Sequence, residues 1–200
     1  MNKMKTILAF MIFTLATLTS FAQVDSENSE HMTFKRIPID GALDEYIVQL
    51  KKSGFSLIEK EDGFAVLKSD FAGFKDCYIL VATLKQKDLV GSITVIFPER
   101  ETWSSLSSNY FTLKEMLTEK YGKPSESNEK FDSSSQPRDD NDRMYRVKFD
   151  NCKYYTEYET EKGSIQLSID HDGVASCFVS LAYFDKINRE IIRAKAIDDL

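Results

Sequence analysis

The chain has 200 residues, of which 42% are hydrophobic and 29% charged, as expected for a soluble globular protein of one domain or two small ones. With only 8 glycines and 4 prolines it is neither collagen-like nor of low complexity. The formal net charge of −6 excludes the basic surface that nucleic-acid binding requires.

The N-terminus has the pattern of an export signal. Lys3 and Lys5 precede an uncharged apolar run, Ile7–Leu18, and small residues then lead to a cleavage site between Ala22 and Gln23. The run is shorter than the roughly 20 residues that span a bilayer. We therefore expect a signal peptide over 1–22, no membrane span after cleavage, and a secreted or periplasmic location.

The next residues predict a flexible tail over 23–32, followed by a single domain over 33–200. The domain begins with a short strand at 33–39 and a helix after Asp40. Four apolar residues of this helix recur at helical spacing, namely Leu43, Tyr46, Ile47 and Leu50. Gly54 is typical of the position just past a helix end.

Four strands are predicted after this helix. The first two, over 55–60 and 64–68, flank Asp62-Gly63, a hairpin signal. The run over 76–84 is continuously apolar, which predicts a strand covered on both faces. The fourth strand spans 89–97.

A second helical region is predicted over 102–121. Thr112-Leu113-Lys114-Glu115 fits a capping box, in which two side chains satisfy backbone donors at a helix start, so its firmest part is predicted to begin at Thr112. The predicted buried face comprises Leu113, Met116, Leu117 and Tyr121.

The polar segment over 123–143 predicts a mobile insertion, because it has too few apolar side chains to offset the entropy of ordering it. Its Asp139-Asp140-Asn141-Asp142 run is rich in oxygen ligands but lacks the glycine and distal glutamate of an EF-hand loop, which favours a solvated loop over a calcium site. Four strands and a helix are predicted after it, over 144–149, 152–159, 164–170, 175–184 and 186–197.

Two short segments recur along the chain. Phe74-Lys75-Asp76-Cys77 resembles Phe149-Asp150-Asn151-Cys152, and Gly91–Val95 resembles Gly163–Leu167. Long runs of consecutive strands predict an α+β fold, mainly antiparallel sheet with helices packed on one face. A duplicated helix-plus-four-strand unit is an open alternative within that class.

The residues that carry catalytic or metal-binding chemistry are few. The cysteines, Cys77, Cys152 and Cys177, all lie in strand-like apolar runs, which favours buried thiols and leaves one disulfide open as an alternative. Asp170, His171 and Asp172 are the weak candidates for a metal site or an acid–base pair, but aspartate and glycine also suit a turn there. No Walker or dinucleotide motif occurs, so we expect no cofactor and assign no catalytic residue.

Aromatic side chains are the first candidates for a binding surface. Trp103, Tyr154, Tyr155 and Tyr158 could bind a peptide or a glycan if they share an exposed sheet face. They could equally belong to the core.

Five segments resemble a family of exported proteins from Bacteroides-type gut bacteria over nearly the whole chain after His31: Phe34–Gly41, Asp70–Cys77, Thr102–Leu106, Glu159–Gly163 and His171–Gly173. The resemblance implies secretion or a periplasmic location. It implies no particular activity, cofactor or catalytic residue.

Three functions remain open from sequence. The first is a non-enzymatic module that binds a protein, peptide or glycan through an aromatic-bearing sheet face. The second is a hydrolase that uses a cysteine or His171 with nearby carboxylates. The third is an inhibitor or chaperone-like partner of an exported enzyme.

Overall fold

A computed structural model describes residues 29–84, 88–132 and 136–198. The predicted signal peptide over 1–22 and its cleavage site at Ala22 and Gln23 lie outside these ranges. Within them the elements in chain order are β1 (Thr33–Phe34), β2 (Ile37–Pro38), α1 (Leu43–Lys52), β3 (Ser56–Glu61), β4 (Phe64–Phe71), β5 (Phe74–Thr83), β6 (Val90–Ile96), α2 (Trp103–Tyr121), β7 (Glu126–Phe131), α3 (Asp140–Lys148), β8 (Cys152–Thr160), β9 (Gly163–Asp172), β10 (Ser176–Asp185) and α4 (Lys186–Asp198).

Eight of these strands form one antiparallel sheet in the order β3-β4-β5-β6-β10-β9-β8-β7, and β1 and β2 form a separate two-stranded sheet. The first half of the large sheet is a run of four strands after α1, whereas in the second half α3 lies between β7 and β8. Strands β6 and β10 join the halves at the centre. The predicted α+β class with mainly antiparallel sheet is confirmed.

The two halves meet at β6 and β10, where Thr94 and Ala182 form the middle pair of the five that join these strands, and each half places its strands outward from there in reverse chain order. The short sequence matches do not follow this arrangement. Cys77 lies on β5, the third strand of its half, whereas Cys152 begins β8, the second strand of the other. The segments that suggested a duplication are therefore not equivalent in the structure, and α3 has no counterpart in the first half.

One face of the sheet carries the hydrophobic core. A row of directly paired residues crosses five neighbouring strands with almost no exposure: Leu67, Ile79, Val95, Leu181 and Leu167. Residues from α1, α2 and α3 join the same core cluster. Burying one such aliphatic side chain contributes about 2 kcal/mol, so this layer of helices on sheet is the main source of stability.

The predicted α1 stripe is confirmed, since Leu43, Tyr46, Ile47 and Leu50 are its buried residues. The helix ends at Lys52, and Gly54 follows with a positive φ of 91°.

Helix α2 differs from its prediction at two positions. It is continuous from Trp103, and the Thr102 hydroxyl caps it by accepting a hydrogen bond from the Ser105 backbone N–H. Thr112 lies inside the helix, so the predicted capping box there is wrong. Met116 is exposed rather than buried, because it lies on the solvent side of the stripe that Leu113 and Leu117 form.

The segment over 123–143 contains regular structure. Its residues form edge strand β7, which pairs with β8, and the first turn of α3. The predicted strand at 144–149 is wrong, because these residues belong to α3 and its C-terminal end. Met144 and Val147 are buried at a spacing of three, which suits a helix, and Asp139 caps the helix by accepting from the Asp142 N–H.

The N-terminal tail does not extend to His31. Met32 is buried. The His31 ring and the Met32 backbone N–H both form hydrogen bonds with Asp185, a fully buried carboxylate at the end of β10. Among the described residues, no helix has the length and hydropathy needed to cross a bilayer.

Candidate functional site

Three of the four candidate aromatic residues belong to the core. Trp103 is 9% exposed and packs at 5.0 Å, between ring centroids, from Tyr154, which is half-buried under α2. Tyr158 is 1% exposed, and its hydroxyl donates to the Lys114 carbonyl on α2. Only Tyr155 lies on the opposite face of the sheet, because neighbouring residues on a strand alternate. The predicted aromatic surface made of all four residues is therefore not formed.

The Asp170–Asp172 candidates do not converge. His171 Nδ1 lies 2.8 Å from the Gly173 carbonyl oxygen and Nε2 lies 3.0 Å from an Asp150 carboxylate oxygen. Only the imidazolium can donate to both acceptors, and the hydrogen bond to Asp150 raises the pKa of His171 above its ordinary value. Asp170 and Asp172 point to the opposite face of β9 from His171. No group of three or more metal-ligating side chains occurs among the residues that the structure describes.

The three cysteines are free thiols. Cys152 and Cys177 lie on β8 and β10 with β9 between them, which separates them by about 10 Å and exceeds the reach of a disulfide. Burial raises the pKa of Cys77 to about 11 and that of Cys152 to about 12, and it also raises the pKa of Cys177. A nucleophilic cysteine needs the reverse shift, so this geometry gives no support to the hydrolase hypothesis.

The surface that stands out is the side of the sheet away from the core, here called the open face. Its first half, on β4, β5 and β6, presents half-exposed apolar side chains that pair across the strands. Tyr78 alone is 44% exposed. The apolar members are Phe64, Val66, Tyr78, Leu80 and Ile96. Solvated faces of antiparallel sheets are usually polar, so a half-apolar one indicates a contact surface.

The second half of the open face, on β9, β8 and β7, is polar and acidic. Gln166, Glu157 and Glu126 continue the row that begins at Val66 and Leu80. Glu126 and Glu157 are directly paired across β7 and β8, and among the described residues no lysine or arginine forms an ion pair with either. Like charges placed opposite each other destabilise a sheet.

Three ionisable groups near this face, Lys68, Asp76 and Arg189, have partners within the protein, whereas Lys130 on β7 forms no ion pair among the described residues. Lys68 pairs with Asp76 at 2.7 Å, which lowers the pKa of that carboxyl. Arg189 from α4 lies 5.3 Å from the ring centroid of Phe184 and donates to the Ser164 hydroxyl at 2.8 Å. Glu126 and Glu157 are the directly opposed carboxylates of the open face, and Glu159 and Asp172 on the same face also form no ion pair with the described lysines and arginines.

The sequence contained a signal for this face. Phe64 to Leu67 is apolar at every position, and so is Tyr78 to Ala82, which indicated strands with two apolar faces. From sequence, the strand over 76–84 was predicted to be buried on both faces. That prediction is wrong, because Cys77, Ile79 and Val81 are buried whereas Tyr78 is exposed.

Comparisons with protein-family models, with curated proteins and with solved structures found no match. The function of this chain is therefore inferred from the geometry of its open face.

Proposed function

We propose that this chain is an exported, non-enzymatic binding module that docks a polypeptide on its open face. The observation that carries the proposal is the half-exposed apolar surface on β4, β5 and β6, which the core-side helices leave in contact with solvent. A polypeptide suits this surface better than a glycan does. Trp103, Tyr154 and Tyr158 are packed on the core side, and the open face combines Phe64 and Tyr78 with the aliphatic Val66, Leu80 and Ile96, a mixture that suits the varied side chains of a polypeptide.

Export is part of the same proposal. The sequence pattern over 1–22 and the resemblance to exported proteins support it. N-terminal sequencing of the protein from the cell envelope or medium should begin at Gln23. A protein that begins at Met1 in the cytosol would contradict it. An inhibitor or chaperone-like partner of an exported enzyme is one form that such a binding module can take.

The docking proposal is tested by selecting a combinatorial peptide library on the purified protein. Thr94 lies half-buried at the centre of the open face, so Thr94→Arg should obstruct docking while its side chain extends into solvent. Thr112→Arg, on the exposed side of α2, is the matched control. We expect enriched peptides to bind the wild type and Thr112→Arg and to lose binding to Thr94→Arg.

Gln166→Arg provides a second obstruction nearby on the same face, should Thr94→Arg melt at a clearly lower temperature than the wild type. If enriched peptides bind both obstructed variants as tightly as the wild type, the open face is not the docking surface.

A further inference from the structure

We infer that the polypeptide docked on the open face carries a lysine or arginine that lies against Glu126 and Glu157. This inference rests on the proposed function and specifies the chemistry of the partner. It comes from the charge arrangement of the second half of the face, which the docking proposal does not use.

The pairing of Glu126 with Glu157 across β7 and β8 has an electrostatic cost. Directly opposed residues in an antiparallel pair have Cβ atoms about 5 Å apart, so two ionised carboxylates there repel each other. Glu126 accepts a hydrogen bond from the Tyr155 hydroxyl, a neutral donor that does not cancel its charge. The position of Tyr155 beside the pair holds one carboxylate in place on the open face. A cation from a partner would remove the repulsion and gain charge-assisted hydrogen bonds.

Other charged side chains also lie on or near the open face. Asp170 Oδ2 accepts hydrogen bonds from the Ser168 and Ser180 hydroxyls, and this residue lies opposite Phe178 rather than another carboxylate. Lys153 of β8 pairs with Asp132 at 2.9 Å and is therefore engaged near the end of the strand. Glu159 lies opposite Ser164, so among the described residues of this face Glu126 and Glu157 are the carboxylates that lie directly opposite each other, and neither forms an ion pair with a described lysine or arginine.

The apolar and acidic parts of the open face are separated by a defined distance. Leu80 on β5 and Glu157 on β8 lie in one row across the sheet, separated by four strand intervals, or about 19 Å. An extended peptide advances about 3.3 Å per residue, so about six residues laid across the strands connect the two positions. The partner should therefore present an apolar group and a basic group about six residues apart, or at that distance on a folded surface.

A second copy of this chain and a metal ion both fit the open face less well than a basic polypeptide does. A second copy of this chain would bring another Glu126–Glu157 pair and a net charge of the same sign, which disfavours face-to-face pairing. A metal ion would need more ligands than this pair of carboxylates offers. A basic polypeptide satisfies both the charge and the apolar surface.

The test uses the library selected on the full chain and reads the composition of the enriched peptides. We expect lysine or arginine about six positions from an apolar residue. Glu126→Gln with Glu157→Gln should weaken binding of these peptides about tenfold, as expected for loss of one charge-assisted contact. It should also remove most of the salt dependence of their affinity. Glu115→Gln with Glu119→Gln on α2 removes the same charge from a helix surface and should leave affinity unchanged.

The outcomes separate the inference from the proposed function. Peptides that lose binding to Thr94→Arg, but lack basic residues or bind the double glutamine variant as tightly as the wild type, would overturn the inference alone. Peptides that bind regardless of Thr94→Arg would overturn the docking surface itself. A dimer detected by sedimentation that Thr94→Arg dissociates would identify a second copy as the occupant and would also overturn the inference.

Discussion

Asp185 should be among the most sensitive single positions for stability. Its carboxylate is fully buried and accepts hydrogen bonds from the Met32 N–H at 2.7 Å, the Asn188 N–H at 2.9 Å and the His31 ring at 3.1 Å. Asp185→Ala leaves two backbone donors without this acceptor. Each buried donor without a partner costs about 1–3 kcal/mol, so we expect a loss of about 3–5 kcal/mol in the free energy of unfolding.

Asp185→Asn should cost less, about 2 kcal/mol, because it keeps one acceptor oxygen and places an NH2 group against a donor. Asp172→Asn, an exposed carboxylate on the neighbouring strand, is the matched control and should stay within about 0.5 kcal/mol of the wild type.

The assay is equilibrium unfolding in urea, followed by circular dichroism at constant pH. Limited trypsin digestion gives a second readout, because release of Met32 should expose the chain after Lys35 and Arg36 to cleavage before the rest of the domain unfolds. A loss below 1 kcal/mol for Asp185→Ala, with unchanged digestion, would refute the view that this carboxylate fastens the N-terminal segment to the sheet.

Three further predictions concern the His171 ion pair, the α2 cap and a glycine in the sheet. The hydrogen bond to Asp150 raises the pKa of His171, so the stabilisation from this ion pair is complete below pH 6.5 and is lost as the pH rises through the raised pKa. In urea titrations from pH 5 to 9, loss of this ion pair should lower the free energy of unfolding by no more than about 1 kcal/mol. Thr102→Ala should cost about 1 kcal/mol, measured the same way, because it removes the α2 cap. Gly163→Ala should lower the melting temperature strongly, because the new Cβ would lie 2.1 Å from the Phe184 carbonyl oxygen and the backbone there has a φ of 151°.

Each of these has a control. Asp150→Asn should abolish the His171 contribution to the pH dependence; an unchanged slope would contradict the assignment. Thr112→Ala, inside α2, should cost less than Thr102→Ala, and the reverse order would favour the capping box read from sequence. Gly73→Ala meets no atom within 4 Å and should be milder than Gly163→Ala, although its φ of 85° carries some strain.

The elements whose apolar residues share one face were predictable from sequence. The α1 stripe from Leu43 to Leu50 and the alternation along β9 from Ile165 to Ile169 both match their buried positions. In each case the local periodicity and the tertiary contacts favour the same structure, so the sequence signal was sufficient.

The misassigned elements are those in which a tertiary contact decides between two local patterns. Met144 to Phe149 alternates well enough to suggest a strand, but the cap at Asp139 and burial of Val147 favour a helix. Thr112 matches a capping box, yet the upstream cap at Thr102 allows α2 to begin nine residues earlier, at Trp103. Asp140 also accepts hydrogen bonds from the Trp103 and Ser104 N–H groups, a contact between distant residues that no local pattern indicates.

The candidate site was predicted only in kind. Sequence proposed a sheet face bearing Trp103, Tyr154, Tyr155 and Tyr158, whereas three of those rings lie on the core side of the sheet and the open face presents other apolar side chains, Tyr78 among them, and a carboxylate pair. Which face of a strand is covered depends on the order of strands in the sheet. That order, with β10 between β6 and β9, cannot be derived from the spacing of residues along the chain.

The position of β10 has a consequence for how the chain reaches its native state. This strand is synthesised after the seven other strands of the large sheet, yet it occupies the middle of that sheet. Until residues 176–185 emerge, β6 and β9 each have an unpaired edge, and neither half can complete its hydrogen bonding. A nascent chain that stalls before this point would expose two adhesive strand edges. Ending the chain before residue 176 should therefore give an aggregating species rather than a smaller stable domain.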